Sequence, residues 1–468
     1  MARVAFVQNV PLEYPGVSVL SAVLRERGHE TALFTGTSPA RLAARIAAWA
    51  PGIAGLPVMT GNQRWACEVA REIKRRLPST TTVLGGAHPT IRPEIVEQEG
   101  VDVVCRGEGE RALTDLTERV DRGGPLAGIA NLWVKTPGGV ERCEMGPLVG
   151  DLGSLPLPDH AIYRARSRHI QPWIHTVRGC PFSCTYCHNH QFREIGRGLG
   201  TYVRTRPVDD VLAEIRALGG GRTLRSIHFC DDIFGVDIVW LRAFSARYRA
   251  QIGLPYQCMQ ASHLMDEERV QLLARSGCAW CGIGLDSGSP RVRRELLDRP
   301  GDIDALVLGA RALQDAGIKL RVNVILGFPG ETPEEMLETL EVCRRIRPWQ
   351  VLCHVFVPYP GTALASRAER MGLLEPGYEE RIPPTFNRAS PLRSPHRREV
   401  ENLHALAQLL TRVPQWRRVA RCAALLPHNP VFSGFYLACL GWQQMSSGER
   451  DAIGSLHQAL SNLAFWYR

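Results

Sequence analysis

Three cysteines within a short stretch constrain this chain more than any other feature. Cys180, Cys184 and Cys187 are separated by three and then by two residues. Gly179 and Pro181 favour a loop there, because glycine frees the backbone and proline ends a helix. Thiolates that converge in a loop indicate a metal site, since soft sulfur ligands suit zinc and iron–sulfur clusters. The segment therefore predicts a metal-binding loop.

The number of cysteines is informative because a closed structural zinc site needs four ligands. A 4Fe–4S cluster held by three cysteines leaves one iron open to a ligand that is not protein. Two other interpretations stay open at this point. The thiols could belong to a buried core, or they could form a zinc site with His188 or His190 as the fourth ligand.

The composition indicates a globular protein of two or three domains. The chain has 468 residues, 44% of them hydrophobic, and a formal charge of +9. No apolar stretch reaches the roughly 18 residues that suggest a membrane span, and residues 1–7 enter a strand without the features of a signal peptide. We therefore expect a cytoplasmic protein with no membrane span and mostly reduced cysteines. The basic excess is mild and has no lysine-rich run, so we expect no nucleic-acid partner.

Residues 1–122 predict a Rossmann-like, doubly wound parallel sheet. Apolar runs recur roughly every 20 to 30 residues with helical patterns between them, which is the spacing of βαβ units. Ligands of such sheets bind outside the carboxyl ends of the strands. Glycine collects at those ends, as expected where a large ligand approaches the backbone, although a tight turn without a ligand also uses glycine. The apolar runs are 4–7, 31–34, 53–59, 81–84 and 101–104, and the helical patterns include 17–27, 41–50 and 63–77.

Residues 171–375 repeat this rhythm and predict a partial (β/α)6 barrel of the TIM type. Residues 123–170 are interpreted as a linker, because prolines at two-residue spacing favour an extended chain. Polar and glycine-rich residues follow the barrel strands, and the chemistry of such barrels lies on that rim. The cysteine loop follows the first strand, where a barrel mouth supplies the cavity that an open iron needs. The strand runs are 173–178, 226–230, 256–262, 279–284, 320–326 and 351–357.

Residues 376–468 predict a small helical C-terminal cap. Arginines cluster between Arg388 and Arg421. We interpret them as a solvated surface, with an anionic substrate or partner as the alternative. The helical patterns are 399–410, 416–425, 432–440 and 448–465.

The cysteine spacing resembles the CxxxCxxC signature of radical S-adenosylmethionine (SAM) enzymes. Tyr186 occupies the aromatic position before the third cysteine. Gly-Phe-Pro-Gly-Glu-Thr at 327–332 and Gly-Ile-Gly-Leu-Asp-Ser-Gly-Ser at 282–289 are similar to barrel segments of that family, with Asp286 in place of a glutamate. The amino-terminal half resembles the cobalamin-binding domain that precedes the barrel in one large branch. That likeness rests on Gly-Gly-Ala-His-Pro-Thr at 85–90, Arg-Gly-Glu-Gly-Glu at 106–110 and Phe-Cys-Asp-Asp-Ile-Phe at 229–234.

The resemblance implies three cofactors. Cys180, Cys184 and Cys187 would hold a 4Fe–4S cluster whose open iron chelates SAM, and cobalamin would bind the first domain. An N-cap or a rim salt bridge remains the alternative role for Asp232 and Asp286. The expected SAM contacts are Tyr186, Asp231, Asp232, Ser262, Asp286, Ser287 and Pro358. The expected cobalamin contacts are Gln8, Asn9, Val10, Met59, Thr60, Gly85, Gly86, His88, Pro89, Gly107, Glu108 and Gly109.

The implied reaction is methylation of an unactivated carbon of a small biosynthetic molecule. An electron donor such as a flavodoxin or a ferredoxin would reduce the cluster. The alternatives are a cobalamin-assisted oxidoreduction or ring rearrangement without methyl transfer, a radical SAM enzyme without cobalamin, and a zinc-binding or nucleic-acid interaction protein. A methylthiotransferase is disfavoured, because Cys67, Cys105 and Cys143 are too scattered for a second three-cysteine site.

Two departures limit the resemblance. Residues 8–16 contain no histidine where cobalamin proteins that replace the lower base carry DxHxxG, so no histidine–cobalt bond is implied. Residues 259–263 lack the arginine that often ends the third barrel strand in this branch, which leaves the SAM carboxylate without an assigned contact.

Cys278 and Cys281 form a CxxC on a predicted strand, where they would face opposite ways and belong to the core.

Overall fold

The computed structural model describes residues 1–166, 171–219, 224–299, 301–383 and 389–412. The chain divides into two compact units. The first comprises residues 1–260, 268–280 and 359–362, and the second comprises 261–267, 281–358 and the described residues from Ala363 onward. The helices predicted over 416–425, 432–440 and 448–465 lie outside the described residues. None of the described helices has the length and apolarity to cross a bilayer.

The amino-terminal sheet has seven strands in the order β2-β1-β3-β4-β5-β6-β7. The first five are parallel, as predicted, and the order reverses between β1 and β3, where ligands of doubly wound sheets bind. Two antiparallel strands, β6 and β7, continue the sheet from within residues 123–170, which we interpreted as a linker. The strands are β1 Arg3–Gln8, β2 Glu30–Thr35, β3 Ile53–Pro57, β4 Thr81–Gly85, β5 Val103–Cys105, β6 Leu132–Thr136 and β7 Gly139–Arg142.

Helices cover both faces of this sheet. Leu42 and Ile46 of α2 join Ala66 and Ile73 of α3 in one buried cluster. Val17 and Leu24 of α1 join Leu113 and Leu116 of α5 in the other cluster, against opposite residues of the same strands. The apolar stripes of the helices thus meet the alternating sides of the strands. The helices are α1 Pro15–Glu26, α2 Pro39–Trp49, α3 Gln63–Arg76, α4 Ala87–Ile91 and α5 Glu110–Arg122.

The second sheet has six strands in the order β15-β14-β13-β12-β11-β8, which is the order of a partial barrel. The pairs β8–β11, β11–β12 and β14–β15 are parallel. The strands are β8 Trp173–Ile174, β9 Val177–Arg178, β10 Arg204–Thr205, β11 Ile227–Phe229, β12 Tyr256–Gln260, β13 Cys278–Asp286, β14 Lys319–Leu326 and β15 Gln350–Val355. The helices are α6 His188–Ile195, α7 Val208–Gly219, α8 Ile238–Gln251, α9 Glu267–Ser276, α10 Ile303–Asp315, α11 Pro333–Ile346, α12 Ala363–Arg370 and α13 Arg397–Leu410.

The first predicted barrel strand, 173–178, is broken into two short pieces. The backbone N–H groups of Thr176 and Val177 donate to the Asp231 carboxylate at 2.7 and 3.0 Å instead of to a neighbouring strand. After this break β9 pairs antiparallel with β10, with Arg178 opposite Arg204. The break therefore turns the chain away from the sheet just before the cysteine loop.

Candidate active site

The cysteine loop connects β9 to α6. Gly179 has a φ of +85°, and a Cβ there would lie 2.6 Å from the Tyr202 carbonyl oxygen, so only glycine fits. The Cys187 N–H donates to the Cys184 carbonyl oxygen at 3.0 Å, which closes a turn, and Cys187 is the N-cap of α6. Cys184 is buried, whereas Cys180 and Cys187 are half-buried. The loop thus carries three thiols within a few residues of a fixed glycine.

The loop offers three thiols as metal ligands. This set suits an iron–sulfur cluster, because each thiol can bind a different iron. Among the described residues, no group of three or more His, Cys, Asp or Glu side chains is arranged to hold a metal ion. The alternative zinc site would take His188 or His190 as its fourth ligand. His188 packs its ring 4.8 Å from that of Tyr359, and His190 Nδ1 lies 3.4 Å from Arg193. Burial and the nearby His88 lower the pKa of His188 to about 4.

Polar groups surround Cys187. Asn189 Nδ2 lies 3.8 Å from the Cys187 sulfur and 2.8 Å from Asp232 Oδ2. The Tyr202 hydroxyl donates to Asn189 Oδ1 at 3.0 Å. Of the two adjacent aspartates predicted for SAM, Asp232 is therefore the one beside the cysteine loop.

Asp231 has a different position, since its side chain is turned into the protein. It is 1% exposed and accepts hydrogen bonds from the Thr176 N–H and hydroxyl, both at 2.7 Å, and from the Val177 N–H. Burial raises the pKa of Asp231, although His175 and these donors oppose the shift. Asp231 thus braces the break between β8 and β9, and its carboxylate is occupied by the chain itself.

Four of the predicted SAM contacts lie in the second unit. Asp286, with a φ of +61°, is buried and has Oδ2 2.7 Å from Arg299 Nε. Ser287 is buried beside Thr339, whose hydroxyl accepts from the Gly288 N–H at 2.8 Å. Ser262 and Pro358 are also buried. The Asp286 carboxylate thus pairs with Arg299, which was not among the site residues predicted from the sequence.

A cavity of about 410 Å³ lies in the first unit. Its apolar floor includes Phe6 and Leu56 of the amino-terminal sheet, and Trp173 and Val177 from the start of the barrel also line it. This volume is within the range of about 300–1,000 Å³ that is usual for cofactor sites. Five of the predicted cobalamin contacts line the cavity, namely Gly85, Gly86, Gly107, Glu108 and Gly109.

The other seven predicted cobalamin contacts lie outside that lining. These are Gln8, Asn9, Val10, Met59, Thr60, His88 and Pro89. Gln8 is fully buried, and its Nε2 donates to the carbonyl oxygens of Val10 and Leu12 at 2.8 and 2.7 Å. Its Oε1 accepts from the Tyr163 hydroxyl at 2.9 Å. Gln8 therefore shapes the loop after β1.

Glu108 is held by two arginines. Arg178 Nη1 lies 2.8 Å from Glu108 Oε1, and Arg204 Nη2 lies 2.9 Å from the same oxygen. The Val149 N–H donates to Oε2 at 2.6 Å. Burial alone would raise the pKa of Glu108, but Arg204 and Arg178 lower it below its ordinary value. Glu108 thus lines the cavity, and its carboxylate already accepts hydrogen bonds from Arg178, Arg204 and Val149.

His160 is the centre of a charged wall of the cavity that was not predicted from the sequence. His160 Nε2 lies 2.6 Å from Glu214, and Nδ1 lies 3.4 Å from Glu13. Arg206 Nη1 donates to the other oxygen of Glu214 at 2.5 Å. Burial lowers the pKa of His160, but the two carboxylates outweigh it and raise that pKa to about 9. No local pattern marks His160, because its partners are distant in sequence.

Both domains match known protein families. Residues 9–117 match the B12 binding domain, and residues 174–343 match the Radical SAM superfamily. These matches confirm the resemblance drawn from the cysteine and glycine motifs.

Two curated relatives and one solved structure are similar to most of the chain. An uncharacterized methyltransferase, PH0819 of Pyrococcus horikoshii, is 26% identical over 80% of this chain and 81% of that protein. The anaerobic magnesium-protoporphyrin IX monomethyl ester cyclase of Rubrivivax gelatinosus is 23% identical over 74% of this chain and 64% of the cyclase. The radical SAM methyltransferase TsrM of Kitasatospora setae, solved with cobalamin and a [4Fe-4S] cluster, superimposes with a TM-score of 0.65. It is 22% identical over 81% of this chain and 77% of TsrM, a likeness that shows the fold.

Proposed function

We propose that this chain, a radical SAM protein with a B12-binding domain, is a cobalamin-dependent methyltransferase that acts on an unactivated carbon of a small molecule. The observation that carries the proposal is the succession of the two domains on one chain. The relative PH0819, named a methyltransferase, supports methyl transfer over other uses of the same cofactors.

Cys180, Cys184 and Cys187 would hold the 4Fe–4S cluster. When bound, the cluster and SAM supply radical chemistry at carbon, and cobalamin supplies a carrier for a methyl group. The protein's part is to fix the loop and its surroundings. Gly179 is locked against Tyr202, and Asp231 holds the chain just before the loop.

The glycines that line the cavity support cobalamin binding, with part of that molecule inside the cavity. Gly85, Gly86, Gly107 and Gly109 line it, and the absence of side chains there lets a ligand approach the backbone. Asn9, which follows β1 and lies outside the cavity lining, has a buried Oδ1 without a hydrogen-bond partner among the described residues. Residues 8–16 contain no histidine, and the side chain of Gln8 hydrogen-bonds within the loop after β1. We therefore propose binding without a histidine–cobalt bond.

The proposed SAM contacts are supported to different degrees, depending on whether the protein already engages each side chain. Asp232 is the best supported, because it is exposed and adjoins the cysteine loop through Asn189. Tyr186 is half-buried on the loop itself. Asp231 and Asp286 are more strongly engaged by the protein, so we propose that they shape the site rather than bind SAM directly. An external one-electron donor, such as a flavodoxin or ferredoxin, and a cytosolic setting complete the proposal.

Anaerobic reconstitution tests this function. The protein would be loaded with iron, sulfide and hydroxocobalamin, passed through gel filtration, and examined by its absorption spectrum and metal content. We expect retained cobalamin, a cluster, and S-adenosylhomocysteine and 5′-deoxyadenosine after addition of SAM and reductant. Cobalamin that is lost on the column would contradict the proposal.

The cysteine assignment has its own test. Substituting Cys180, Cys184 and Cys187 by alanine should abolish cluster loading and formation of 5′-deoxyadenosine. Cys143→Ala is the matched control, since Cys143 is a half-buried cysteine elsewhere in the first unit. Activity that survives the triple substitution would refute the cluster site.

A second candidate is a cobalamin-assisted oxidative ring closure without methyl transfer. The similarity to the magnesium-protoporphyrin cyclase favours it. It predicts 5′-deoxyadenosine without S-adenosylhomocysteine, so the same product analysis distinguishes the two reactions.

A further inference from the structure

The side-chain amide of Asn189 directs a hydrogen-bond donor toward the sulfur of Cys187. Its Nδ2 lies 3.8 Å from Cys187 Sγ. Cys187 is the N-cap of α6, but its side chain accepts no capping hydrogen bond from the backbone. The side-chain contact is specific to asparagine and depends on what orients the amide.

Two neighbours fix the orientation of that amide. Asp232 Oδ2 lies 2.8 Å from Asn189 Nδ2, and a carboxylate accepts hydrogen bonds, so this end must be the NH2 group. The Tyr202 hydroxyl lies 3.0 Å from Oδ1 and donates to it. Because both ends have a partner, the amide presents N–H, and not its carbonyl, to the Cys187 sulfur.

Tyr202 is itself fixed by the other end of the cysteine loop. A Cβ on Gly179 would lie 2.6 Å from the Tyr202 carbonyl oxygen and 3.0 Å from its ring. Tyr202 therefore packs against the residue that precedes Cys180, while its hydroxyl reaches Asn189. The network spans the loop from its first cysteine to its third, so the amide is held in place from both sides.

We propose that Asn189 is a positioning residue that raises the reduction potential of the cluster, and that the charge of Asp232 lowers it. The proposal rests on the proposed function, because it requires a cluster bound to Cys187. One-electron reduction by an external donor adds negative charge to the cluster and its sulfur ligands. An N–H directed at a ligand sulfur stabilises that charge, whereas a nearby carboxylate repels it. No bond forms or breaks in this step.

A redox titration of the reconstituted protein tests the proposal. The reduced cluster would be followed by electron paramagnetic resonance, without SAM, against mediators of known potential. Asn189→Leu keeps the shape of the side chain but removes the donor, so we expect a more negative midpoint potential. Asp232→Asn removes the charge, so we expect a more positive one. Asp209→Asn, an exposed carboxylate paired with Arg247, should leave the midpoint unchanged.

The two substitutions with opposite expected signs separate this effect from general damage to the loop. An Asn189→Leu midpoint equal to that of the wild type, in a protein with full iron content, would overturn the proposal. If Asn189→Leu does not load a cluster, Asn189→Ala replaces it, because the smaller side chain also removes the donor. A more negative midpoint is again expected, and an unchanged midpoint overturns the proposal. A wild-type protein that assembles no cluster refutes the proposed function instead.

Discussion

Arg178 Nη1 lies 2.8 Å from Glu108 Oε1, although the two residues are 70 positions apart. The other nitrogen, Nη2, reaches Glu110 at 2.5 Å. Arg178 precedes the cysteine loop by one residue, and Glu108 belongs to the glycine-rich segment after β5. One guanidinium thus connects the segment proposed for cobalamin to the segment proposed for the cluster.

Removing this guanidinium should destabilise the first unit and weaken cobalamin retention. In Arg178→Met, two partly buried carboxylates lose a partner, and we expect a loss of about 2–4 kcal/mol of unfolding free energy. Arg247→Met is the control, since the Arg247–Asp209 pair is exposed and should contribute little to stability. Chemical denaturation and retained cobalamin per chain measure both effects. Equal losses in the two variants would contradict the prediction.

His160 should make the stability of the first unit depend on pH. Its pKa is raised to about 9 in the folded chain from an ordinary value of 6.5, because Glu13 and Glu214 outweigh the effect of burial. Its contribution should therefore be fully present below about pH 6.5 and be lost as the pH rises through 9. His160→Gln removes it, so the melting-temperature difference between wild type and variant should shrink from pH 6 to pH 9.5. A difference that stays constant across this range would argue against a charged His160.

Gly86 should tolerate no side chain. It has a φ of +100°, and a Cβ would lie 3.1 Å from the Val58 carbonyl oxygen. Gly86→Ala should cost about 1–3 kcal/mol and lower cobalamin retention, since backbone strain and a close contact act together. Gly28→Ala is the matched control, because Gly28 has a φ of +81° with nothing within 4 Å of the added carbon. The melting temperature should fall further in Gly86→Ala than in Gly28→Ala, and equal falls would contradict the prediction.

The two adjacent aspartates should respond differently to the same substitution. Asp231→Asn keeps an oxygen that can accept from the Thr176 and Val177 N–H groups, but it turns the oxygen that accepts from the Thr176 hydroxyl into an NH2 group. We expect a cost of about 1–3 kcal/mol, with lower iron content after reconstitution. Asp232→Asn affects an exposed group and should change stability by less than about 0.5 kcal/mol. Thermal unfolding and iron analysis decide the matter. Similar losses of stability in both variants would show that burial does not distinguish them.

The sequence predicted the strands and the loop because their signals are local. The five parallel strands of the first sheet follow from apolar runs at regular spacing, and the cysteine loop follows from three residue types within a short segment. The direction of a side chain at a strand end is not local. Asp231 turns inward because of Thr176, 55 positions away, and Asp286 pairs with Arg299 rather than facing outward.

Residues 123–170 show the same limit. Prolines indicated an extended connection, but extended backbone can also pair with a sheet, as β6 and β7 do. His160 within this segment carries no local sign of its role, because Glu13 and Glu214 approach it from 147 and 54 positions away. Contacts of this kind depend on the completed fold.

The short extended segment around β10 should not tolerate the insertion or deletion of a residue. Tyr202, Arg204 and Arg206 stand two positions apart, and each contacts a different region: Asn189, Glu108 and Glu214. Side chains at this spacing point the same way in an extended chain. Inserting or deleting a single residue between 202 and 206 would turn part of the set to the opposite side and break these contacts together. This segment should therefore tolerate substitutions far better than any change in its length.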